Sequence, residues 1–429
     1  MWFFFYYRFR QNSNKRALIP RLWEGLKVNE LTHKFSWFIL GCAWLVALFL
    51  SVLLQCVSPL LPGLIDEFDL SHSMAGFLYS LPILMIALFS YPLGIASDKI
   101  GMEVAVGLGA TVAILASFTR PLSSNFSLLL VSTAIFGLGF ALCFPNLPKL
   151  VKENFPQRLS GTATGVYTTG MPLGAGLSIA LAKPVLAATG SWRTVVVIWS
   201  LIAIPAILLW WLAGQTSHKR KRRTHSGAVE VPTNADPIPV SPEGFLRLVL
   251  ISGMLLSLLN LMFYCTLGWL PTYLSEKGWS PAMAGAVTST VSFTEIPGII
   301  LLPLLCDQMG KRREIIGLSF LLIAISSGIV ALVSHLSWFV SPIFGFNFGG
   351  VFALLLAIPA QLVERDKVGR AAGAVISIGY VGALVGPTAL GYVRDLMGSF
   401  SVGFLILGFV GIMSTSLSFT LPGSKFPRS

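Results

Sequence analysis

Charge is what this sequence has least of. Lys, Arg, Asp and Glu together make up 11% of its 429 residues, where a soluble chain carries about 25%. That scarcity excludes an ordinary water-soluble globule. Cysteine is sparse as well: Cys42, Cys56, Cys143, Cys265 and Cys306 are scattered through apolar stretches with no CxxC spacing. They form neither a disulfide framework nor a zinc ribbon and read as small core residues. His33, His72, His218, His225 and His335 do not cluster, so no metal site is expected. No G-x-x-x-x-G-K-[ST], G-x-S-x-G or H-E-x-x-H occurs, which leaves ATP-driven pumping by this chain and the familiar hydrolase chemistries without support. No cofactor is expected, and a membrane enzyme lacks a catalytic constellation. Acidic residues are fewer than basic ones, 18 against 30, for a net charge of +12. These cations sit in the loops and tails and are read as signals of membrane orientation, with nucleic acid a poor second.

Apolar residues, by contrast, are 54% of the chain, and mean hydropathy is +0.77. About 20 apolar residues suffice to cross the hydrocarbon core as a helix. Six such runs fall at 35–61, 73–96, 102–120, 126–150, 160–187 and 193–213, and six more at 245–274, 280–306, 314–333, 336–361, 368–393 and 399–421. The chain is therefore read as an all-α membrane protein of twelve spanning helices, a six-helix bundle at 35–213 and another at 245–422. Between them, 214–244 carries Lys219-Arg220-Lys221-Arg222-Arg223 and the breakers Pro232, Pro237, Pro239 and Pro242; it is a linker, too short and polar to bury a core. A short tail follows at 423–429. Residues 1–34 form a basic tail whose opening Trp2-Phe3-Phe4-Phe5-Tyr6-Tyr7 is too short to span. That tail lies on the membrane surface or stems from a misassigned start.

The two bundles are copies of one unit. Gly94-Ile95-Ala96-Ser97-Asp98-Lys99-Ile100-Gly101 ends one apolar run, and Pro303-Leu304-Leu305-Cys306-Asp307-Gln308-Met309-Gly310-Lys311-Arg312-Arg313 ends another, with Asp98 and Asp307 209 positions apart. The same offset carries Leu61-Pro62 onto Leu270-Pro271, Glu67 onto Glu276, Ser71 onto Ser280 and Met74-Ala75-Gly76 onto Met283-Ala284-Gly285. It slips to 208 for Phe136-Gly137, Phe140 and Gly165, which fall on Phe344-Gly345, Phe348 and Gly373. Matches in that order mark an internal repeat. With both termini and the linker inside, 25 of the 30 Lys and Arg lie on the cytoplasmic side, leaving Arg120, Lys183, Arg193, Lys277 and Arg394 opposite. The positive-inside rule thus places both termini in the cytoplasm and the protein in a plasma membrane, the inner one in a bacterium.

Twelve helices as six plus six around a central linker resemble the major facilitator superfamily. The residues that carry the resemblance are Gly94, Asp98, Lys99 and Gly101, which match the family's G-x-x-x-D-[RK]-x-G loop. The resemblance implies a pseudo-symmetric pair of bundles and a cytoplasmic gate at Gly94, Asp98, Lys99, Gly101, Asp307, Gly310 and Arg312. In the family the aspartate caps a neighbouring helix end and pairs with cations of the adjacent half. The second copy departs from the pattern at Pro303 and Gln308. A narrower resemblance, to the cyanate/2-nitroimidazole transporter-like branch, rests on Tyr264-Cys265-Thr266-Leu267-Gly268-Trp269-Leu270-Pro271-Thr272-Tyr273-Leu274, Ala284-Gly285, Ile296-Pro297 and Asn146-Leu147-Pro148-Lys149. Nitrate/nitrite porters carry an arginine where Ser90 and Ile299 stand, so nitrate is disfavoured. The arginine that many proton-coupled members carry in helix 4 is replaced by Thr133.

Small residues recur in the fifth and eleventh runs: Gly165, Gly170 and Gly174, then Gly373, Gly382, Gly386 and Pro387. Such spacing lets helices approach closely, and the resemblance places both runs in pairs that slide across the halves. Glu295 is the one carboxylate deep in an apolar run, and such a residue is a functional candidate by default. It is read as a proton-coupling or substrate site, with a hydrogen bond to backbone as the structural alternative. Gln55, Tyr79, Asn146, Tyr167, Asn260, Tyr264, Asn347 and Tyr380 complete the candidate polar lining; each serves either a helix–helix hydrogen bond or substrate. The function expected is secondary active transport of a small polar or anionic organic solute by alternating access, with protons as the candidate coupling ion and a monomer embedded in lipid. Export of amphiphilic compounds and a non-transporting scaffold or sensor are the alternatives.

Overall fold

A computed structural model describes residues 18–155, 157–221, 242–362 and 368–421. Twelve helices are long and apolar enough to cross a membrane. They are α1 (Phe35–Phe68), α2 (His72–Ile100), α3 (Met102–Leu122), α4 (Phe126–Val151), α5 (Thr162–Thr189), α6 (Trp192–Gly214), α7 (Phe245–Glu276), α8 (Pro281–Met309), α9 (Arg312–Leu332), α10 (Ser334–Ile358), α11 (Gly373–Met397) and α12 (Phe400–Ser418). Helix is what such sequences must form in lipid, because only there does every backbone group find a partner within its own segment. The expected runs are found, with one notable extension. Helix α1 continues to Phe68, so Asp66 and Glu67 ride its last turn, and Asp69 closes it in the left-handed region at φ 51°. The helices also reach beyond the spans: the one containing α1 begins at Leu18, the one containing α6 continues to Lys221, and the one containing α7 begins at Pro242. Residues 1–17 of the basic tail, the core of the expected linker with Pro232, Pro237 and Pro239, and the 423–429 tail lie outside the described residues.

The repeat is visible in the packing. In the first half α1 lies on α5 and α6, α4 on α2 and α3, and α3 on α6; in the second, α7 lies on α11 and α12, α10 on α8 and α9, and α9 on α12. Water gives no hydrophobic drive between helices inside a bilayer, so close backbone approach has to supply the attraction. Glycines provide it. Gly109 and Gly139 face each other across α3 and α4, a Cβ on either meeting the other's carbonyl oxygen at 2.6 Å. In the second half, Gly298 on α8 and Gly345 and Gly349 on α10 pack against the backbone of Phe346, Val291 and Glu295.

The spans alternate in direction, so α1 begins, α6 ends, α7 begins and α12 ends at one end of the molecule, here termed the linker end. The opposite, distal end is where the halves meet. There α2 packs on α11, α5 on α8 and the end of α1 on α7. Gly76 and Gly391 seat against Pro387 and His72 across the α2–α11 seam, and Gly285 lies 2.8 Å, measured from a Cβ built on it, from the Ile179 carbonyl across α5–α8. The Ser58 hydroxyl donates to the Leu267 carbonyl and, at 3.2 Å, to that of Gly268. At the linker end nothing lies within 4 Å of a Cβ built on Gly94, Gly165 or Gly373. Among the described residues, the hydrogen bonds identified between the halves all lie toward the distal end, and the open glycines at the other end are read as a gap on the linker side.

Three helices of the first half, and none of their counterparts, are interrupted: α1 at Cys56, α4 at Phe144–Pro145 and α5 at Thr169. Each interruption lies next to a proline or within three residues of one, Pro59, Pro145 and Pro172. A proline lacks the N–H that the carbonyl one turn back requires. The dihedrals stay right-handed, −60° and −22° at Cys56 for example, so the ladder is broken without redirecting the chain.

Candidate functional site

Glu295 sits at the midpoint of α8, fourteen residues from either end. Protein encloses it, yet part of it stays accessible to solvent, which puts it on the wall of the space between the halves. Gly349 of α10 lies flat against its backbone and Cγ, fixing the base of the side chain. The carboxyl has no hydrogen-bond or ion-pair partner among the described residues. Two tyrosine hydroxyls stand within electrostatic reach of it, Tyr264 from α7 and Tyr380 from α11. Both tyrosines are half-buried, and neither hydroxyl makes a hydrogen bond among the described residues.

Aromatic rings surround this trio. Tyr264 packs at 5.5 Å, edge-on, against Phe263, which stacks on Phe348 at 3.6 Å. Phe144, at the interruption of α4, meets Tyr380 edge-on at 6.5 Å across the halves. Tyr79 of α2 faces Tyr264 at 6.4 Å, and its hydroxyl donates to Gln55 Oε1 at 2.5 Å. Tyr79 and Gln55 thus roof the space just below the distal closure.

The structure sorts the residues singled out in the sequence by what their polar atoms already do. Asn146 donates to the Leu142 carbonyl at 2.7 Å and accepts from Ser97 at 2.9 Å. Asn260 donates to Gly379 and Asn347 to Ile343, at 3.0 and 2.8 Å. These three serve helix structure and, with Gln55, are buried. Tyr167 lies half-buried against the first-half core, away from the trio. Glu295, Tyr264 and Tyr380 therefore form the set with free hydrogen-bonding capacity. Lys183 of α5 is only partly buried.

At the linker end the two gate loops are built alike. Gly101 and Gly310 turn with φ of 92° and 65° and close their helices onto Ser97 and Cys306; positive φ is what requires glycine there. Asp98 is exposed and pairs at 2.5 Å with Lys149 of α4, in its own half, and Lys149 also donates to Ser97 at 3.3 Å. Lys99 and Asp307 are exposed, whereas Arg312 is buried. The small residues divide unexpectedly. Gly170 and Gly174 face Trp44 and Leu48 of α1, and Gly382 and Gly386 face Ser257 and Leu261 of α7. They bind helices within a half, and the seams between halves use Gly76, Gly176, Gly285 and Gly391. Pro387 does reach the seam: its carbonyl accepts from Trp269 at 2.8 Å and seats Gly76.

Sequence reasoning missed Arg120, counting it among the cations of the distal loops. It is 2% exposed. From the distal end of α3 its guanidinium points inward, stacks 4.2 Å over the Phe136 ring and donates to the Leu53 carbonyl at 2.9 Å. Its Nε and Nη2 find no partner among the described residues. It thus delivers a buried cation three residues along α4 from Thr133, the position where the helix-4 arginine of proton-coupled relatives is missing.

Comparison with known proteins agrees with this architecture. The chain is similar to the 2-nitroimidazole transporter of Escherichia coli (strain K12), 26% identical over 377 residues that cover 86% of this chain and 91% of the relative. It is 23% identical to the cyanate transport protein CynX of the same strain, over 90% of this chain and 97% of the relative. Among solved structures, the D-xylose-proton symporter superposes with a TM-score of 0.72 at 14% identity, covering 91% of this chain and 98% of that one. The family profile of the Major Facilitator Superfamily matches residues 43–387 and 262–429, and the chain belongs to that superfamily of membrane transporters.

Proposed function

We propose that the protein is a secondary active transporter that carries a small, flat, polar organic solute by alternating access. The observation that carries this reading is the free trio of Glu295, Tyr264 and Tyr380 on the wall of a space closed distally and open at the linker end. Buried polar groups ordinarily find partners; three left free on three helices suit a ligand that supplies them. The half-buried rings of Phe144, Tyr264 and Tyr380 offer faces and edges for a planar molecule, backed by the buried Tyr79 and Phe263. The phenols donate to a carbonyl, nitro or carboxylate oxygen, and Glu295 exchanges a proton or accepts from an N–H. The relatives named for 2-nitroimidazole and cyanate transport move small compounds of this kind. The excess of Lys and Arg at the linker end supports a cytoplasmic linker, which makes the present state inward-open.

The test is uptake into proteoliposomes together with thermal shift on purified protein, both with 2-nitroimidazole, cyanate and benzoate. A ligand at 100 times its Kd adds about 2.7 kcal/mol of stability. Glu295→Gln is expected to abolish uptake driven by a pH gradient while leaving solute exchange largely intact. Tyr264→Phe and Tyr380→Phe are expected to weaken binding about two- to tenfold each, a hydrogen bond to a polar ligand being worth about 0.5–1.5 kcal/mol. Wild-type transport by Glu295→Gln at every pH would reduce the carboxyl to a structural role.

A further inference from the structure

We propose that Asp395 is the latch that holds the distal end closed, acting as a helix cap supplied by the opposite half; the proposal rests on the alternating-access reading. Asp395 lies near the end of α11, in the second half. Its Oδ1 accepts from the His72 backbone N–H and its Oδ2 from that of Ser73, each at 2.9 Å. Oδ1 also lies 2.8 Å from His72 Nδ1. His72 and Ser73 are the first residues of α2, in the first half. The carboxylate therefore sits on the N-terminus of a helix to which it is not covalently close, 323 positions away in sequence.

Helix starts leave their first N–H groups unpaired and carry partial positive charge, and a carboxylate satisfies both. At α2 the work is divided. Ser71 accepts from Met74 N at 3.2 Å, as an ordinary cap, and leaves the N–H groups of His72 and Ser73 for Asp395. The repeat shows why this end is special. In α8 the cap Ser280 accepts from Met283 N at 3.3 Å, the same arrangement 209 positions on. Yet the residue equivalent to His72 is Pro281, which has no N–H to offer. One copy of the unit is closed off at this position, and the other leaves donors that only the opposite half fills.

The surroundings hold the carboxylate in place. Arg394 pairs with Glu276 at 3.1 Å, tying the end of α11 to α7, and its guanidinium reaches over Phe400. The His72 ring lies against both Trp269 and Phe400, at 5.9 and 5.6 Å. Gly391 brings the two backbones together one turn from the carboxylate. Below the latch, Ser80 of α2 is fully buried, 3.4 Å from Thr388 of α11 across the seam. Opening the distal end must break the Asp395 bonds and uncover Ser80. Asp98, near the opposite end of the same helix pair, is paired within its own half in this state, so one carboxylate per end is engaged across the halves or withdrawn.

The experiment places a cysteine at Ser80 and, separately, at the open Gly373, and reads labelling by a membrane-impermeant maleimide at each peptide by mass spectrometry. Asp395→Ala is expected to raise labelling at position 80 about tenfold or more, since two charge-assisted bonds are lost, and to lower it at position 373. His72→Ala should have a smaller effect, because the backbone bonds survive it. Gly391→Leu is the control: its side chain wedges the seam apart regardless of the latch. If Gly391→Leu exposes position 80 and Asp395→Ala does not, the latch is wrong and alternating access stands. If Gly391→Leu leaves position 80 unreactive, alternating access fails and the latch with it. An equal effect of His72→Ala would overturn the capping role, and a rise at both positions in Asp395→Ala would mean loss of fold and likewise count against it.

Discussion

Arg120 is buried and Glu295 half-buried; both are side chains that carry charge when free in water, and they differ in what each lacks. Glu295 has room before it and two phenols nearby, so a solute or a proton completes it. Arg120 is walled in, with one carbonyl and one ring for company and two nitrogens unmet. Even a buried ion pair can often be replaced by apolar residues of similar volume at no cost or with a gain of about 1–4 kcal/mol, and an unpaired buried charge is costlier still. The lost charge-assisted bond to Leu53 takes back about 1.5–3 kcal/mol. Arg120→Met is therefore expected to hold or raise the melting temperature in detergent, and a drop of several degrees would show that the cation is internally compensated. The sequence exposed Glu295 because a carboxylate in an apolar run stands out by itself. Tyr264 and Tyr380 stood out only as members of a larger polar set, since sequence does not say whether an amide or hydroxyl is already spent on a neighbouring carbonyl, as those of Asn260 and Asn347 are. Arg120 was hidden by its position: an arginine before Pro121 at a helix end reads as a loop, and its inward reach depends on side-chain direction.

Among the helices, glycine spacing announced close packing in α5 and α11 but not the partner. Gly382 and Gly386 serve α7, and Gly170 and Gly174 serve α1. A side chain at Gly382 would run into the Ser257 carbonyl, whereas one at Gly373 meets open space. Gly382→Val is thus expected to abolish or sharply reduce folded yield, overpacking costing about 1–3 kcal/mol or more where backbone must move. Gly373→Val should give normal yield and an unchanged gel-filtration profile. Equal behaviour of the two variants would mean that α7 and α11 separate easily. The interruptions of α1, α4 and α5 were not anticipated from the sequence, although Pro59, Pro145 and Pro172 lie at or within three residues of them. Prolines such as Pro82, Pro271 and Pro387 sit inside helices that are not interrupted, so proline alone does not decide the matter; the local hydrogen-bond alternatives do. At α1 these include Arg120 on the Leu53 carbonyl and Ser178 on that of Val52, at 2.9 Å each.

For the molecule as a whole, composition, twelve runs and a 209-residue repeat were enough to anticipate the fold, because the bilayer admits so few alternatives. The state of the gate was not legible, since both states are made by the same sequence and differ in which faces touch. The proposed orientation has a direct check: reporter fusions after Ser217 and after Asp69 should report opposite sides of the membrane, the former cytoplasmic. The same side for both would overturn the twelve-helix topology. The interrupted helices carry a further consequence, for mechanical strength. A helix with an intact ladder leaves the bilayer under tension as one unit, whereas one whose ladder is cut within the span yields in two pieces. Pulled from its C-terminus by an atomic force microscope, the second half should surrender its helices in single steps. The first half should give extra force peaks within α5, α4 and α1, at contour lengths set by Thr169, Phe144 and Cys56. The two copies of one repeat would then differ in their brittleness, the half with interrupted ladders breaking in smaller pieces than the half that holds the free polar trio.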